Sequence, residues 1–325
     1  MVYKTKVTIL SAIVAGLAVV YAGSLIFDPD RVNTQDAAYA WLDAKNIPRV
    51  DGIELKSVNG GVTLVRKNAA WFVSVDGQEY PAKPQRAEDV LSLLSKKDAY
   101  PVRGTEAASH ERLGLLEDTA ARITVRGGAG AVPFLDLLIG NTDASGNEVY
   151  LRKAGNNEAR SGSLSISNYV SSAKTAWYNL RLFPETDTFT ADDVQRVIAT
   201  IPPDDTADGM LPSAPPTPVT LTFARTNGGW TVNGQEADAP KVESYIRSIL
   251  DAEGDDFVTG ETAASLSDGR IVLEFGNGTS RVISVGALLD TNNRNAAVSG
   301  SPYVYSLAGW VINRLFRTED EFVKK

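Results

Sequence analysis

The sequence predicts an α+β protein: an N-terminal transmembrane helix followed by two tandem, duplicated domains of antiparallel β-hairpins and sheet packed with helices. Three observations carry this. The run VTILSAIVAGLAVVYAGSLIF, Val7 to Phe27, holds no charge. The rest of the chain alternates short apolar stretches with Asn-Gly and Asp-Gly pairs, the local mark of hairpins. The stretch Val62 to Phe183 recurs in shortened form from Val219 to Phe316.

The recurrence is ordered. Arg66, Asn68, Trp71 and Val73 match Arg225, Asn227, Trp230 and Val232, and Gly77-Gln78-Glu79 matches Gly234-Gln235-Glu236. Pro84 matches Pro240, Arg122-Ile123 matches Arg270-Ile271, and Ile139-Gly140 matches Val285-Gly286. Ser161-Gly162-Ser163 is set against Ser299-Gly300-Ser301, Trp177 against Trp310, and Arg181-Leu182-Phe183 against Arg314-Leu315-Phe316. The offset between partners falls from 159 to 133 along the chain. Self-similarity in a fixed order is the signature of duplication, here with shortened loops in the second copy.

Val7 to Phe27 is long enough, as a helix, to cross the roughly 30 Å apolar core of a bilayer. Lys4 and Lys6 precede it and Asp28 and Asp30 follow, which places residues 1–6 in the cytoplasm and the bulk outside, as in a single-pass membrane protein. A cleaved signal peptide ending at Ala22-Gly23-Ser24 is the competing reading; the apolar run outlasts a signal-peptide core and continues through Phe27, which favours an anchor at 7–27.

Residues 28–49 follow, with an amphipathic helix over Asn33 to Lys45 capped by Thr34 and lined by Ala38, Trp41 and Leu42. The first copy, residues 50–187, opens with a strand at Ile53 to Leu55, turns at Asn59-Gly60, and continues through strands at Val62–Val65 and Trp71–Val73. A helix begins at Pro84, where the missing N–H costs nothing, and buries Val90, Leu91 and Leu94. Strands follow at Ile123–Val125, Phe134–Ile139 and Val149–Leu151, and a last short helix carries Tyr169, Trp177 and Leu180.

The second copy spans 188–317. Asp192 to Thr200 reads as a helix capped by Thr190 on composition and as a strand on the repeat; the strand is chosen. Six of the fifteen prolines lie between Pro202 and Pro218, where the first copy has a tight turn. This segment, 202–218, is expected to be an extended, exposed loop. Strands at Leu221–Phe223 and Trp230–Val232, a helix from Pro240 to Leu250, and strands at Ile271–Phe275 and Arg281–Val285 complete the scheme. The charged tail, 318–325, reads as loose.

With 325 residues, 43% hydrophobic and 22% charged, the chain has the composition of a globular protein. Cysteine is absent, which excludes disulfides, thiolate metal sites and cysteine nucleophiles, and a single histidine, His110, excludes multi-histidine metal sites. The net charge of -8 opposes a nucleic-acid partner. His110 reads as an exposed loop residue, with no Gly-x-Ser-x-Gly elbow to complete a triad. Ser171-Ser172-Ala173-Lys174 satisfies Ser-x-x-Lys but lacks the companion elements of that chemistry, so it reads as a solvated helix face. Asp204/Asp205 and Asp255/Asp256 have neither EF-hand nor glycosidase context. Asn277-Gly278-Thr279 is a formal glycosylation acceptor better explained as a turn, and Trp71, Trp177, Trp230 and Trp310 read as core. No catalytic residue, metal ligand or cofactor site is assigned. The one candidate functional element is the proline-rich loop as a partner contact: Pro202, Pro203, Asp204, Asp205, Pro212, Pro215, Pro216 and Pro218.

Val-x-Leu-x-Arg at Val62–Arg66, Trp71-x-Val73, Leu113-Gly114-Leu115, the strand ending in Ile139-Gly140, Val149-Tyr150-Leu151-Arg152 and the Trp177–Phe183 segment resemble the uncharacterised bacterial family known as domain of unknown function 4340. The resemblance covers residues 50–183 well and the second copy more loosely. It implies an envelope protein encoded beside ABC transporter components of the gliding-motility type, with permease and auxiliary subunits as partners and no catalytic residues to transfer. The expectation is a membrane-anchored, extracytoplasmic accessory subunit and not an enzyme; the alternative is an envelope polysaccharide-binding protein or carbohydrate-active enzyme.

Overall fold

The computed structural model describes residues 38–58, 60–128, 132–184, 189–203, 219–289 and 292–324. The expected anchor at 7–27 lies outside them; among the described residues no helix is long and apolar enough to cross a membrane. The chain is a two-domain α+β fold, with compact units 1–176 and 177–325.

The first unit contains β1 (Gly52–Ser57), β2 (Gly60–Lys67), β3 (Ala70–Val75), β4 (Gln78–Pro81), helix α1 (Pro84–Ser95) and β5 (Val102–Gly104). Helix α2 (His110–Leu113), β6 (Ala121–Arg126), β7 (Leu135–Thr142), β8 (Glu148–Lys153), β9 (Ala159–Ser163) and helix α3 (Ser165–Ser171) complete it. The second unit contains β10 (Val194–Thr200), β11 (Thr220–Thr226), β12 (Gly229–Val232), β13 (Gln235–Ala237), helix α4 (Ala239–Leu250) and β14 (Asp256–Val258). It ends with β15 (Gly269–Phe275), β16 (Ser280–Leu288), β17 (Arg294–Val298), β18 (Val304–Leu307) and helix α5 (Gly309–Leu315).

Each unit has one nine-stranded antiparallel sheet, ordered β4-β3-β2-β1-β6-β7-β8-β9-β5 in the first and β13-β12-β11-β10-β15-β16-β17-β18-β14 in the second. The two orders are identical, strand for strand. Register makes the equivalence residue-specific: Ile53 pairs with Leu64 and Val125, as Val197 pairs with Phe223 and Leu273. Ala121 faces Ile139 as Gly269 faces Val285. Strand β10 is therefore the counterpart of β1, as the repeat required, and the Thr190 cap serves only a short 3-10 turn, Ala191–Asp193, ahead of it.

Register also corrects the repeat. Ser161–Ser163 lies in β9, whose counterpart is β18, whereas Ser299–Ser301 lies in the turn after β17. Trp310 lies on α5, whose counterpart is α3, so it is not the partner of Trp177. The second copy is not shortened overall: from Ile53 to Arg160 and from Val197 to Tyr305 the chain covers nearly the same length. The long β10–β11 connection is offset by a shorter one between α4 and β15. The segment after Trp177, expected to close the first copy, packs in the second unit. Leu182 N–H donates to Ala252 O at 2.9 Å, Gly254 N–H to Leu180 O at 2.9 Å, and Tyr178 lies edge-on to Phe257 at 5.0 Å.

Two local expectations fail for physical reasons. Residues 33–37 of the expected helix, Thr34 among them, lie outside the described residues; residues 38–43 are not helical, and a 3-10 helix follows at Ala44–Arg49, capped by Asp43. Trp41 and Leu42 are both buried; Leu42 N–H bonds Leu94 O, Tyr39 bridges Asp98, and Trp41 sits against Tyr39 and Tyr100. Adjacent buried side chains with cross-chain backbone bonds fit an extended segment, not a helix face. The tail is not loose. Thr318 and Glu321 form a capping box, Phe322 is buried against Phe223 and Tyr245, and Val323 bridges Ala237 on the outer edge of β13. One apolar residue among charges anchors it.

The main cores lie under the helices: α1 buries Ala87, Val90, Leu91 and Leu94, and α4 buries Val242, Tyr245, Ile246, Ile249 and Leu250. A small second cluster, Leu113, Leu115, Leu138 and Ala159, covers the other face of the first sheet. It requires Gly140, because a Cβ there would stand 2.2 Å from Leu113 O.

Gly140→Ala should destabilise the first unit by about 1–3 kcal/mol through forced overpacking. Gly228→Ala, where a Cβ meets nothing, should leave the urea midpoint unchanged. A second expectation concerns pH. The Asp143 carboxylate accepts from Ser145 Oγ and from the backbone N–H groups of Glu148, Ser145 and Asn147, which lowers its pKa from 3.8 to about 2. A depressed carboxylate stabilises above its unfolded pKa and loses that contribution as pH falls through the folded value. The stability difference between wild type and Asp143→Asn should hold above pH 4 or so and be lost as pH falls through about 2; a difference that persists at still lower pH is the contrary result.

Candidate functional site

The root of the proline-rich segment, at the end of β10, meets the end of β16, the start of β17 and helix α5. Between them lies a cleft of about 350 Å³ with apolar walls from Ile201, Pro202, Leu288 and Phe316 and polar atoms from Asn292 and Asn313. Two features build it. Arg294, 3% exposed, donates from Nη1 to Gly286 O at 2.9 Å and from Nη2 to Pro203 O at 2.8 Å, with Asp268 at 3.7 Å. Gly309 lets α5 approach Asn292, since a Cβ there would stand 2.9 Å from Asn292 O. Asn292 itself adopts φ +61°, a conformation asparagine tolerates better than most residues.

The first unit has a buried arginine of the same kind. Arg152 donates to Leu115 O and Asn156 O, both at 2.7 Å, and pairs with Glu117 at 3.1 Å. Each thus ties a connecting segment to the sheet through backbone carbonyls. By register the two are not equivalents, because Val149 occupies the place of Arg294. Sequence reasoning met Arg152 only as part of the family pattern and passed over Arg294. A charged residue within a strand of otherwise apolar neighbours, as in Arg294-Asn295-Ala296-Ala297-Val298, was the available signal.

The residues singled out from sequence fall as follows. Pro202 is buried and Pro203 lines the cleft and offers its carbonyl to Arg294. Asp204, Asp205, Pro212, Pro215, Pro216 and Pro218 lie outside the described residues. His110 is not an exposed loop residue: it is 6% exposed, opens α2, and its Nε2 is 3.0 Å from Asn157 O, a structural role between connections. The Ser-x-x-Lys segment does not form one helical turn, because α3 ends at Ser171; Ser172 Oγ donates to Asn168 O and accepts from Arg86, both at 2.6 Å. Asp256 Oδ1 accepts from Phe257 N–H at the start of β14, and Asn277 caps its own turn by accepting from Thr279. Among the described residues no cluster of three His, Asp or Glu is disposed to hold a metal ion.

Trp71, Trp177 and Trp230 are core, at 2%, 0% and 2% exposed. Trp71 Nε1 donates to Glu88 at 2.9 Å, and Arg66, its cross-strand partner, covers the ring at 5.5 Å. Arg225 covers Trp230 at 4.8 Å in the same register. Trp310 departs from expectation: it is 62% exposed on α5, with Arg314 over its ring at 5.3 Å. The helix buries Val311, Ile312 and Leu315, which leaves position 310 facing outward.

The fold defines a tandem-duplicated α+β protein whose units share one strand order. The family model described as "Domain of unknown function (DUF4340)" matches residues 71–269, from β3 to the start of β15, and the chain belongs to that family. No curated protein and no solved structure shows significant similarity to it.

Arg294→Met would leave Gly286 O and Pro203 O without their donor. It should cost about 2–3 kcal/mol in urea unfolding. Arg270→Met, at an exposed position, should change stability by no more than about 0.5 kcal/mol.

Proposed function

We propose that this chain is an extracytoplasmic accessory subunit, held to the bacterial inner membrane by Val7–Phe27, that offers its two units as contact surfaces to an ABC-type transporter. The observation that carries the reading is the uncharged Val7–Phe27 run placed a short distance before a folded body that starts by Tyr39. Membership of the DUF4340 family supports it, since the resemblance implies genes neighbouring transporters of the gliding-motility type. The role is binding, not catalysis. Within it the proline-rich segment serves as a contact arm: its root is clamped by Arg294, and a proline-rich chain loses little entropy when it is captured.

The test is a crosslinked, mild-detergent pull-down from native membranes through a carboxy-terminal tag, with the intact mass read in parallel. The expected result is the full-length mass together with permease subunits. Replacing residues 204–217 by an Asn-Gly turn should reduce permease recovery while leaving the urea midpoint in place. A mass lacking the residues up to Ala22, with no transporter subunit recovered, overturns the proposal.

A further inference from the structure

Because the two units share one topology, the first serves as a reference for the second. They diverge most at one corner. Pro202-Pro203 stands where β1 runs into a hairpin turn, and Arg294 stands where β8 has Val149. Val311 and Leu315 take the buried places of Ile166 and Val170, which puts Trp310 where α3 has Ser165. Pro202, Pro203 and Arg294 line the cleft at the root of β10, and Trp310 directly follows Gly309, which lines it as well.

We propose that this corner binds an acidic saccharide. Trp310 is the stacking platform, Asn313 and Asn292 are partners for hydroxyl groups, and Arg314 receives the carboxylate. The inference does not depend on the transporter reading.

Four observations converge on it. Trp310 is 62% exposed, with Arg314 over one face of its ring, while the other four tryptophans are at most 3% exposed. An outward tryptophan forgoes burial that the core provides elsewhere, and a sugar ring restores it by laying its C–H face on the indole. Arg314 is held against that ring and, among the described residues, forms no ion pair; its Nε is buried with no acceptor. A carboxylate on a ligand would give the guanidinium a charge-assisted partner through its terminal nitrogens, not through the buried Nε. The cleft next to Gly309 has about 350 Å³ of space, within the range of small-ligand sites. Its lining alternates apolar surface with carboxamides that both donate and accept, matching a pyranose that carries apolar faces and a belt of hydroxyls. Finally, the corner is braced by named contacts. Arg294 fixes Pro203 and Gly309 fixes the approach of α5, so little ordering entropy is spent on binding.

A protein partner fits less well. Interface cores are contiguous apolar patches. Around Trp310 the helix exposes Asn313 and keeps Arg314 on the ring, while Val311 is buried. One ring set among polar groups is the composition of a sugar site.

The charge of the whole chain selects the probe. At net -8 a long polyanion is repelled, so a short oligosaccharide is suitable. Full-length protein in detergent is titrated calorimetrically with trigalacturonate and, in parallel, with maltotriose. Trigalacturonate should bind and maltotriose should bind at least about tenfold more weakly, the worth of one charge-assisted contact. Trp310→Ala should weaken trigalacturonate by about tenfold or more. Arg314→Gln should bring its affinity down to that of maltotriose and abolish the salt dependence. Position 310 is exposed, so Trp310→Ala should keep the wild-type urea midpoint, and Arg314→Gln should not lower it, because it removes a buried Nε that has no acceptor. No heat with either sugar, or equal binding by wild type and Trp310→Ala, overturns the proposal. So does a photocrosslinker at position 310 that captures a polypeptide while trigalacturonate leaves the yield unchanged. Loss of permease recovery without loss of sugar binding, or the reverse, separates this proposal from the transporter reading.

Discussion

Each unit hangs on one ladder. Strand β1 comes first in its unit yet lies in the middle of the sheet, with β2 on one side and β6, far along the chain, on the other. The β1–β6 pairing joins two meanders, β1 to β4 and β6 to β9, that would otherwise each present an unpaired inner edge. Ile53 and Leu55 point into the core from β1 and meet Val125 and Ile123; in the second unit Val197 and Ala199 meet Leu273 and Ile271. Closing so long a loop costs entropy, but the cost grows only slowly with length. That is why the second unit tolerates the long β10–β11 connection while β10 keeps the register of β1.

The ladder also divides the sheet by solvent access. In β1 to β3 buried and open residues tend to alternate, one face on the core and one in water. In β6, β7 and β17 buried residues run consecutively, because the connection ahead of β6 or β15 covers the second face. Gly140 and Gly286 sit where that cover presses on the sheet. The polar groups of these covering segments need partners in a dry place, and the buried arginines Arg152 and Arg294 serve that need through carbonyl contacts.

What the sequence made legible follows from this division. Alternating strands flanked by Asn-Gly or Asp-Gly turns were readable, as were both long helices, because their apolar periods are regular. The duplication was readable through Arg66/Trp71 and Arg225/Trp230. Strand β9 was not: Ala159–Ser163 is short, small and polar, and is buried only because tertiary neighbours enclose it. The tail was misread because its single Phe322 carries no period. The repeat was mispaired near its end because Trp310 resembles Trp177 in sequence while α5 is aligned by topology with α3. At the candidate site, Pro202 and Pro203 were legible from composition. Arg294, Asn292 and the outward Trp310 were not, because they are brought together by β-register and one helix face.

A duplicated protein separates support from function by its own internal comparison. The Arg–Trp pair recurs in both copies at the same cross-strand register, with the guanidinium over the indole each time. An element that both copies keep, buried and facing the helices, serves the fold that both copies share. An element that one copy adds, in the open and at some cost to stability, has no such explanation. Exposing Trp310 forgoes about 2 kcal/mol or more of burial, and leaving Arg314 Nε without an acceptor adds a desolvation penalty. Both costs fall on α5, the helix whose Gly309, Ile312 and Asn313 line the cleft together with Arg294 and the diproline. The identities between the copies describe how the sheet is held together, and the place where the copies disagree is where the proposed ligand would repay what the fold alone does not require.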